Sequence, residues 1–97
     1  MLIIAGYLHV DDRPQRDRFV EGHADLVTRA RRAPGCMDIT ISADSVDATR
    51  VNNYELWEDQ DSLDAWRAIS NVPHLDIQVS GGHMMKYLIE ASEPPFD

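Results

Sequence analysis

The stretch that decides the fold runs from position 53 to 74 and reads NYELWEDQDSLDAWRAISNVPH. Its first residues predict a β-strand, in which Asn53, Glu55 and Trp57 lie two apart and therefore point to one face. That face presents an amide, a carboxylate and an indole side by side. The residues between them, Tyr54 and Leu56, are also large and point the other way. We therefore expect this strand to be covered on both sides.

The rest of this stretch predicts a helix that begins after Asp59 or Asp61, either of which is a suitable cap. Its inward positions at helical spacing are Leu63, Trp66 and Ile69 or Ser70. The sequence Asn71-Val72-Pro73 is expected to end this helix, and Pro73-His74 to begin a short third helix. The glycines of Ser80-Gly81-Gly82 would end that third helix.

A long helix is predicted earlier in the chain, from about Pro14 to Ala33, with Asp12 as its cap. Its apolar stripe contains Phe19, Val20, His23, Leu26 or Val27, and Ala30. Its opposite face, which we expect to be solvated, carries Arg16, Asp17, Glu21, Asp25, Arg29 and Arg32. A histidine within an apolar stripe is either a hydrogen-bonded core residue or a group that faces a pocket.

Four strands complete the pattern. The first, Leu2–Val10, is apolar on both faces and is expected to be central, whereas Cys36–Ala43 alternates and is expected towards an edge. The third is Arg50–Glu58, and the last is His83–Ala91. The order β-α-β-β-α-(α)-β predicts a single α+β domain of the ferredoxin-like type, with a four-stranded antiparallel sheet and helices on one face. Residues 92–97 are expected to form a surface tail.

The face of the sheet without helices predicts association between two chains. Tyr54, Leu56 and their neighbours would form an apolar patch too large for a monomer to leave in water. We therefore expect a homodimer that packs sheet against sheet, with the helices outside.

Composition argues against several classes of protein. Ninety-seven residues with 43% apolar content fit one globular domain, and a net charge of −8 disfavours nucleic acid or an anionic membrane as partner. Cys36 is the only cysteine, so no intrachain disulfide forms, and a packed thiol at the start of a strand is expected. The apolar run Met1–Val10 has no positive leader and is too short to span a bilayer, which makes the cytoplasm the default location.

The sequence predicts neither a metal nor a cofactor. Its four histidines, His9, His23, His74 and His83, show no i, i+4 pair and no short ligand spacing. Gly81-Gly82 does not have the pattern of a phosphate-binding loop, and no flavin or nicotinamide fingerprint is present.

Several motifs together resemble the antibiotic biosynthesis monooxygenase domain, the small dimeric α+β barrel family of quinol and anthrone monooxygenases. They are Pro34-Gly35-Cys36, Asn53-Tyr54-Glu55-x-Trp57-Glu58, Leu63-x-x-Trp66 and Pro73-His74-Leu75. The likeness covers nearly the whole chain, from Leu2 to about Ala91.

The resemblance implies cofactor-independent oxygenation of a small aromatic substrate by dioxygen. An electron-rich phenol or anthrone is deprotonated in a dry pocket between sheet and helices, and the resulting carbanion or enolate reacts with dioxygen. Anthrone-oxidising members carry an asparagine and a tryptophan four residues apart on one strand, and Asn53 and Trp57 match that pair. Asn53 would hold a substrate carbonyl or bound oxygen in position. Trp57 would donate its indole N–H and form one side of the pocket around the substrate ring.

Two departures from the family pattern affect the expected activity. Anthrone oxidisers also use a tyrosine soon after the tryptophan, where this sequence has Leu63. Haem-degrading members use an asparagine in the first strand and a histidine in the following helix, where this sequence has Leu8 and Arg67. Haem degradation is therefore not expected.

The expected catalytic residues are Asn53, Trp57 and His74. Phe19, His23, Glu55 and Trp66 are expected to contact the substrate. His74 is the preferred base, because imidazole titrates near neutral pH. Four of these residues also have a structural alternative: Asn53 bonded to a backbone edge, Trp57 as core packing, Glu55 in an ion pair with Arg67 or an arginine of the first helix, and His74 bonded to local backbone.

Two other functions fit the same residues. A non-catalytic protein would use the cavity only to hold an apolar ligand. A proton-transfer isomerase would act on a small carbonyl compound through His23, Glu55 or His74.

Overall fold

The computed structural model describes residues 1–96 as a four-stranded sheet with three helices. The elements in chain order are β1 (Leu2–Val10), α1 (Arg13–Gly22), α2 (Ala24–Ala30), β2 (Cys36–Ala43), β3 (Arg50–Trp57), α3 (Gln60–Ile69) and β4 (Val79–Leu88). All paired strands are antiparallel, in the order β2-β3-β1-β4. The predicted ferredoxin-like α+β fold is confirmed, with β1 inside the sheet and β2 at an edge.

The core lies between the sheet and the helices. In the register of β1 and β3, Leu2 is opposite Trp57, Ile4 is opposite Glu55 and Gly6 is opposite Asn53, so these residues share one face. The buried cluster on that face consists of Leu2, Ile4, Leu26, Ala30, Ile39, Trp57, Leu63 and Trp66. We call this face the helix-facing side and the opposite face the outer side.

Strand β4 is the most exposed strand of the sheet, and every one of its residues is exposed. Its apolar side chains lie on both faces: Met84 and Leu88 on the helix-facing side, and Met85 and Tyr87 on the outer side. This edge of the sheet therefore carries apolar surface that the described part of the chain leaves uncovered.

The prediction of one helix from Pro14 to Ala33 is wrong, because the helix breaks at His23. The His23 Nδ1 atom lies 2.7 Å from the carbonyl oxygen of Phe19, which would accept the backbone N–H of His23 in a continuous helix. That N–H donates instead to the carbonyl of Val20, at 3.2 Å. A side chain inserted into the i→i−4 ladder is a recognised cause of such a break.

The prediction of a third helix from Pro73 is also wrong. Residues 70–78, which we call the connecting segment, have no regular secondary structure, and Gly81 and Gly82 lie within β4. Asn71 and Asp76 have φ angles of 48° and 54°, in the left-handed region that interrupts a right-handed helix.

Contacts with α1 and α2 hold the connecting segment in place. Arg29 donates to the carbonyl of Ser70 at 2.7 Å, and Arg18 donates to the carbonyl of Leu75 at 3.0 Å. The Leu75 side chain packs against Gly22, where an added Cβ would lie 2.5 Å from its Cδ1 atom. These long-range contacts determine the path of the segment where local helix propensity does not.

Several element boundaries differ from the predictions. β3 ends at Trp57 and β4 at Leu88, both earlier than expected. Asp59 caps α3 and accepts from the backbone N–H of Ser62 at 2.7 Å, a bond that lowers the pKa of Asp59. Leu63 and Trp66 are buried as predicted; of the two alternatives for the next inward position, Ile69 is 69% exposed and Ser70 is half-buried.

Arg16, predicted to be solvated, is buried instead. Its Nη1 atom donates to the carbonyls of Asp44 and Asp47, both at 3.2 Å, and its Nε and Nη2 atoms donate to Asp17. Arg16 therefore fastens α1 to the turn between β2 and β3.

The C-terminal tail adds little to the packed domain. In the predicted tail, residues 92–96 are exposed, and Asp97 lies outside the described residues. Within residues 1–96, no helix is long and apolar enough to cross a membrane.

Candidate functional site

Three side chains of β3 form a hydrogen-bonded group on the helix-facing side. The indole Nε1 of Trp57 donates to Glu55 Oε1 at 3.0 Å, and the amide Nδ2 of Asn53 donates to Glu55 Oε2 at 3.3 Å. Trp57 is fully buried, whereas Asn53 and Glu55 are half-buried. We call these three residues the β3 polar group.

Glu55 determines what the β3 polar group can offer to a ligand. An ionised carboxylate only accepts hydrogen bonds, so the amide nitrogen of Asn53 must face it. The indole N–H of Trp57 is engaged with Glu55. The second amide hydrogen of Asn53 and its carbonyl oxygen have no hydrogen-bond partner within residues 1–96. The predicted ion pair between Glu55 and an arginine is wrong, because both partners of the carboxylate are neutral.

Gly6 lies opposite Asn53 on the neighbouring strand. Its φ of 156° is unfavourable for residues with a side chain, and a Cβ there would overlap the carbonyl oxygen of His83. The glycine allows β1 and β4 to approach closely and places no side chain next to Asn53.

A pocket of about 530 Å³ lies between α1 and the connecting segment. Its lining residues are Phe19, His23, Val72, Pro73, His74, Leu75, Asp76, Ile77 and Gln78. Its volume lies in the range of small-molecule sites. We call it the α1 pocket. It brings together three predicted site residues, Phe19, His23 and His74, but its lining does not include the β3 polar group.

The two histidines of the α1 pocket have different surroundings. His23 is 7% exposed and stacks on Phe19, with ring centroids 4.2 Å apart and an interplanar angle of 30°. His74 is exposed, and its ring makes no hydrogen bond within residues 1–96, including to the local backbone. The structure therefore fixes the orientation of His23 much more firmly than that of His74.

Trp66, predicted to contact the same substrate, lies elsewhere. It lines a separate groove of about 510 Å³ between α3 and the turn at Pro34, and the guanidinium carbon of Arg29 lies 5.6 Å from its ring centroid. The structure thus divides the predicted site residues among the β3 polar group, the α1 pocket and this groove.

Sequence reasoning missed Asp76 and Gln78 in the pocket lining, and Gly22, Arg18 and Arg29 as its supports. The signal that was available is Gly22, a glycine within an otherwise helical pattern, because such a position often marks a close approach of another group.

Cys36 has no features of a nucleophile. Burial, followed by the negative charge of Glu55, raises the pKa of its thiol. The reactive form of cysteine is the thiolate, so this residue is expected to be unreactive at neutral pH.

Comparison with known proteins gives one family and several structures. The sequence matches the antibiotic biosynthesis monooxygenase family over residues 1–72, and no curated protein matches it. A proposed antibiotic biosynthesis monooxygenase of Deinococcus radiodurans has a TM-score of 0.76 and 16% identity, with 100% of both chains covered. The Streptomyces coelicolor monooxygenase ActVA-Orf6, solved with nanaomycin D, has a TM-score of 0.63 and 20% identity, with 98% of this chain and 92% of that chain covered.

A third structure is a dimeric ferredoxin-like protein from an uncultured marine organism. It has a TM-score of 0.72 and 11% identity, and the alignment covers 98% of this chain and 92% of that chain. At such identities the structural likeness shows the fold alone. The family match carries more weight, because it spans most of the sequence, and by it the chain belongs to the antibiotic biosynthesis monooxygenase family.

Proposed function

We propose that this protein is a cofactor-independent monooxygenase that oxidises an electron-rich aromatic compound, such as a quinol, an anthrone or a polyketide-like phenol. The observation that carries the proposal is the β3 polar group. Asn53 and Trp57 have the type and spacing of the pair in anthrone-oxidising members, and Glu55 holds both on the helix-facing side. Family membership and the α1 pocket support it.

The proposed reaction needs no reductant besides the substrate. A base removes a proton from an activated C–H, and the electron pair remains on the ring system as an enolate. Dioxygen accepts these electrons and forms a peroxide at the same carbon. Loss of water then leaves a carbonyl, so that a CH₂ group and O₂ become a C=O group and H₂O.

The protein's contribution is to orient the substrate and to stabilise developing negative charge. The free amide hydrogen of Asn53 is a donor for the enolate oxygen or for the peroxide. Trp57, which donates to Glu55, forms part of the wall that keeps water away from the substrate.

Oxygen consumption tests this function directly. Purified protein is incubated with anthrones and hydroquinones, without metal or flavin, in an oxygen electrode. Asn53→Ala is expected to lower kcat/KM about 100-fold, the usual effect of removing one oxyanion donor. Asn52→Ala is the matched control, because Asn52 is an amide of the same strand that points to the outer side.

The same assay separates the alternatives. Turnover that Asn53→Ala and Trp57→Phe leave unchanged would remove the β3 polar group from the mechanism. Ligand binding without oxygen consumption would identify a binding protein instead. Product formed equally well under argon would identify a proton-transfer isomerase. The histidines that line the α1 pocket also fit that function.

A homodimer through the outer side of the sheet is part of the proposal. Ile3 is opposite Leu56 and Tyr87 on that side, and Ala5 is opposite Tyr54 and Met85. These side chains form a continuous apolar surface across three strands, and no helix of the described chain covers it. The dimeric marine protein with the same fold supports the formation of a dimer.

Sedimentation equilibrium tests the dimer. The protein is expected to sediment at about twice the 11.0 kDa mass of one chain. Met85→Glu buries a charge in the proposed interface and is expected to weaken association at least tenfold. Val46→Glu, in the turn before β3, is the control with no expected effect, since Val46 is fully solvated. Sedimentation of the unaltered protein as a single chain would contradict the proposal.

A further inference from the structure

The break between α1 and α2 centres on a single side chain, that of His23. Its ring replaces its own backbone N–H as the hydrogen-bond partner of the Phe19 carbonyl. The ring also stacks on the phenyl group of Phe19. Phe19 therefore holds His23 in two ways, through the main-chain carbonyl of Phe19 and through its phenyl ring.

This hydrogen bond determines which nitrogen of His23 carries the proton. A carbonyl oxygen only accepts hydrogen bonds, so Nδ1 must be the protonated nitrogen of the neutral ring. The lone pair of the neutral imidazole is then on Nε2. An imidazole held in one tautomer by a bond to its other nitrogen is the usual arrangement of a histidine base.

The second nitrogen is available to a ligand. Nε2 makes no hydrogen bond within residues 1–96, and no side-chain nitrogen or oxygen of these residues is both sealed from solvent and unpartnered. Nε2 therefore keeps an accessible surface although the residue is 7% exposed. His23 also lines the α1 pocket, a cavity large enough for a small aromatic compound.

We propose that His23 is the general base of this protein and that the aromatic substrate binds in the α1 pocket against Phe19 and His23 and extends from there to the β3 polar group. This assignment rests on the proposed function, and it replaces His74, which is exposed and has no partner to set its tautomer. Nε2 takes the proton of the activated C–H or O–H, the C–H or O–H bond breaks, and its electron pair stays on the substrate. The imidazolium that forms keeps its Nδ1–H bond to the Phe19 carbonyl.

Proton exchange under argon tests the base separately from the oxygen reaction. The unaltered protein is mixed with an anthrone in D₂O, and loss of the methylene proton signal is followed by NMR. His23→Gln is expected to slow the catalysed exchange about 100-fold or more. His83→Gln, which changes an exposed histidine of β4 outside the α1 pocket, is expected to stay within threefold. Circular dichroism verifies that both variants are folded.

The pH profile supplies a readout that a structural role would not give. Catalysed exchange is expected to fall on acidification, because an imidazolium cannot accept a proton. The other charged groups around the pocket are His74 and Asp76 in its lining and Arg18 at the connecting segment. The fall is expected to persist in His74→Gln and in Asp76→Asn.

The outcomes distinguish this inference from the proposed function. If His23→Gln leaves oxygen consumption intact, His23 is not the base, whereas the proposed oxygenase function still holds. Exchange that depends on His23 without any oxygen consumption would keep the base and overturn the oxygenase. If His23→Gln does not fold, ¹⁵N spectra of the unaltered protein test the tautomer of His23 directly. A proton on Nε2 of the neutral ring would contradict its assignment as the base. Absence of catalysed exchange in the unaltered protein would overturn it as well.

Discussion

Replacing Trp57 with alanine is expected to lower the free energy of unfolding by about 3–5 kcal/mol. The indole has no exposed surface and lies in the row where Leu2 and Cys36 are its neighbours on the adjoining strands. Leu63 and Trp66 belong to the same buried cluster, so the truncation leaves a cavity that a rigid sheet does not fill. The total free energy of unfolding of such a domain is about 5–15 kcal/mol, so the expected loss is a large fraction of its stability.

Urea unfolding at fixed protein concentration measures this loss, since a dimer makes the midpoint depend on concentration. Trp57→Phe separates ring burial from the hydrogen bond. It retains most of the apolar contact but leaves Glu55 without the indole donor, and a loss of about 1–2 kcal/mol is expected. Val46→Ala, on the exposed turn, is the control and should stay within about 0.5 kcal/mol. A loss below about 1 kcal/mol for Trp57→Ala would contradict the central position given to this residue.

Replacing Gly6 with alanine is expected to lower the free energy of unfolding by about 3 kcal/mol or more, or to detach β4 from the sheet. The added Cβ would overlap the carbonyl oxygen of His83 and lie 2.8 Å from the Cα of Met84. Both obstacles are backbone atoms of the neighbouring strand, so no rotamer change relieves them. The φ of 156° adds strain of its own for alanine.

Gly81→Ala is the matched control for this substitution. Gly81 belongs to β4, the strand that faces Gly6, but a Cβ there meets no atom within 4 Å and the residue has no positive φ. Its alanine variant is expected to be within about 0.5 kcal/mol of the parent. Hydrogen exchange of the β4 amides reports whether the strand has separated in Gly6→Ala. Equal stability of the two variants would show that β1 and β4 are not as close as described.

Much of the fold could be predicted because its signals are local. The apolar run on both faces of Leu2–Val10 placed β1 inside the sheet, and the alternation of Cys36–Ala43 placed β2 at an edge. Two of the features that were not predicted depend on distant or unusual bonds. The break at His23 requires a ring nitrogen to displace a backbone donor, and the path of residues 70–78 depends on arginines of α1 and α2.

The candidate site was predictable to a similar extent. Spacing by two placed Asn53, Glu55 and Trp57 on one face, because strand periodicity alone decides that. The partners of Glu55 were not predictable, since a carboxylate of a strand can pair with a cation across the core as readily as with its own neighbours. The role given to His23 depends on its tautomer, which only the bond to the Phe19 carbonyl defines.

The attachment of the connecting segment separates ligand exchange from overall stability. Two arginine side chains and the contact of Leu75 with Gly22 hold this wall of the α1 pocket, whereas the sheet has its own ladder and core. Such peripheral contacts open at a lower free energy than the global transition. If the proposed function holds, substitutions at Arg18 or Gly22 are therefore expected to change how long a product resides in the α1 pocket without weakening the sheet and its core.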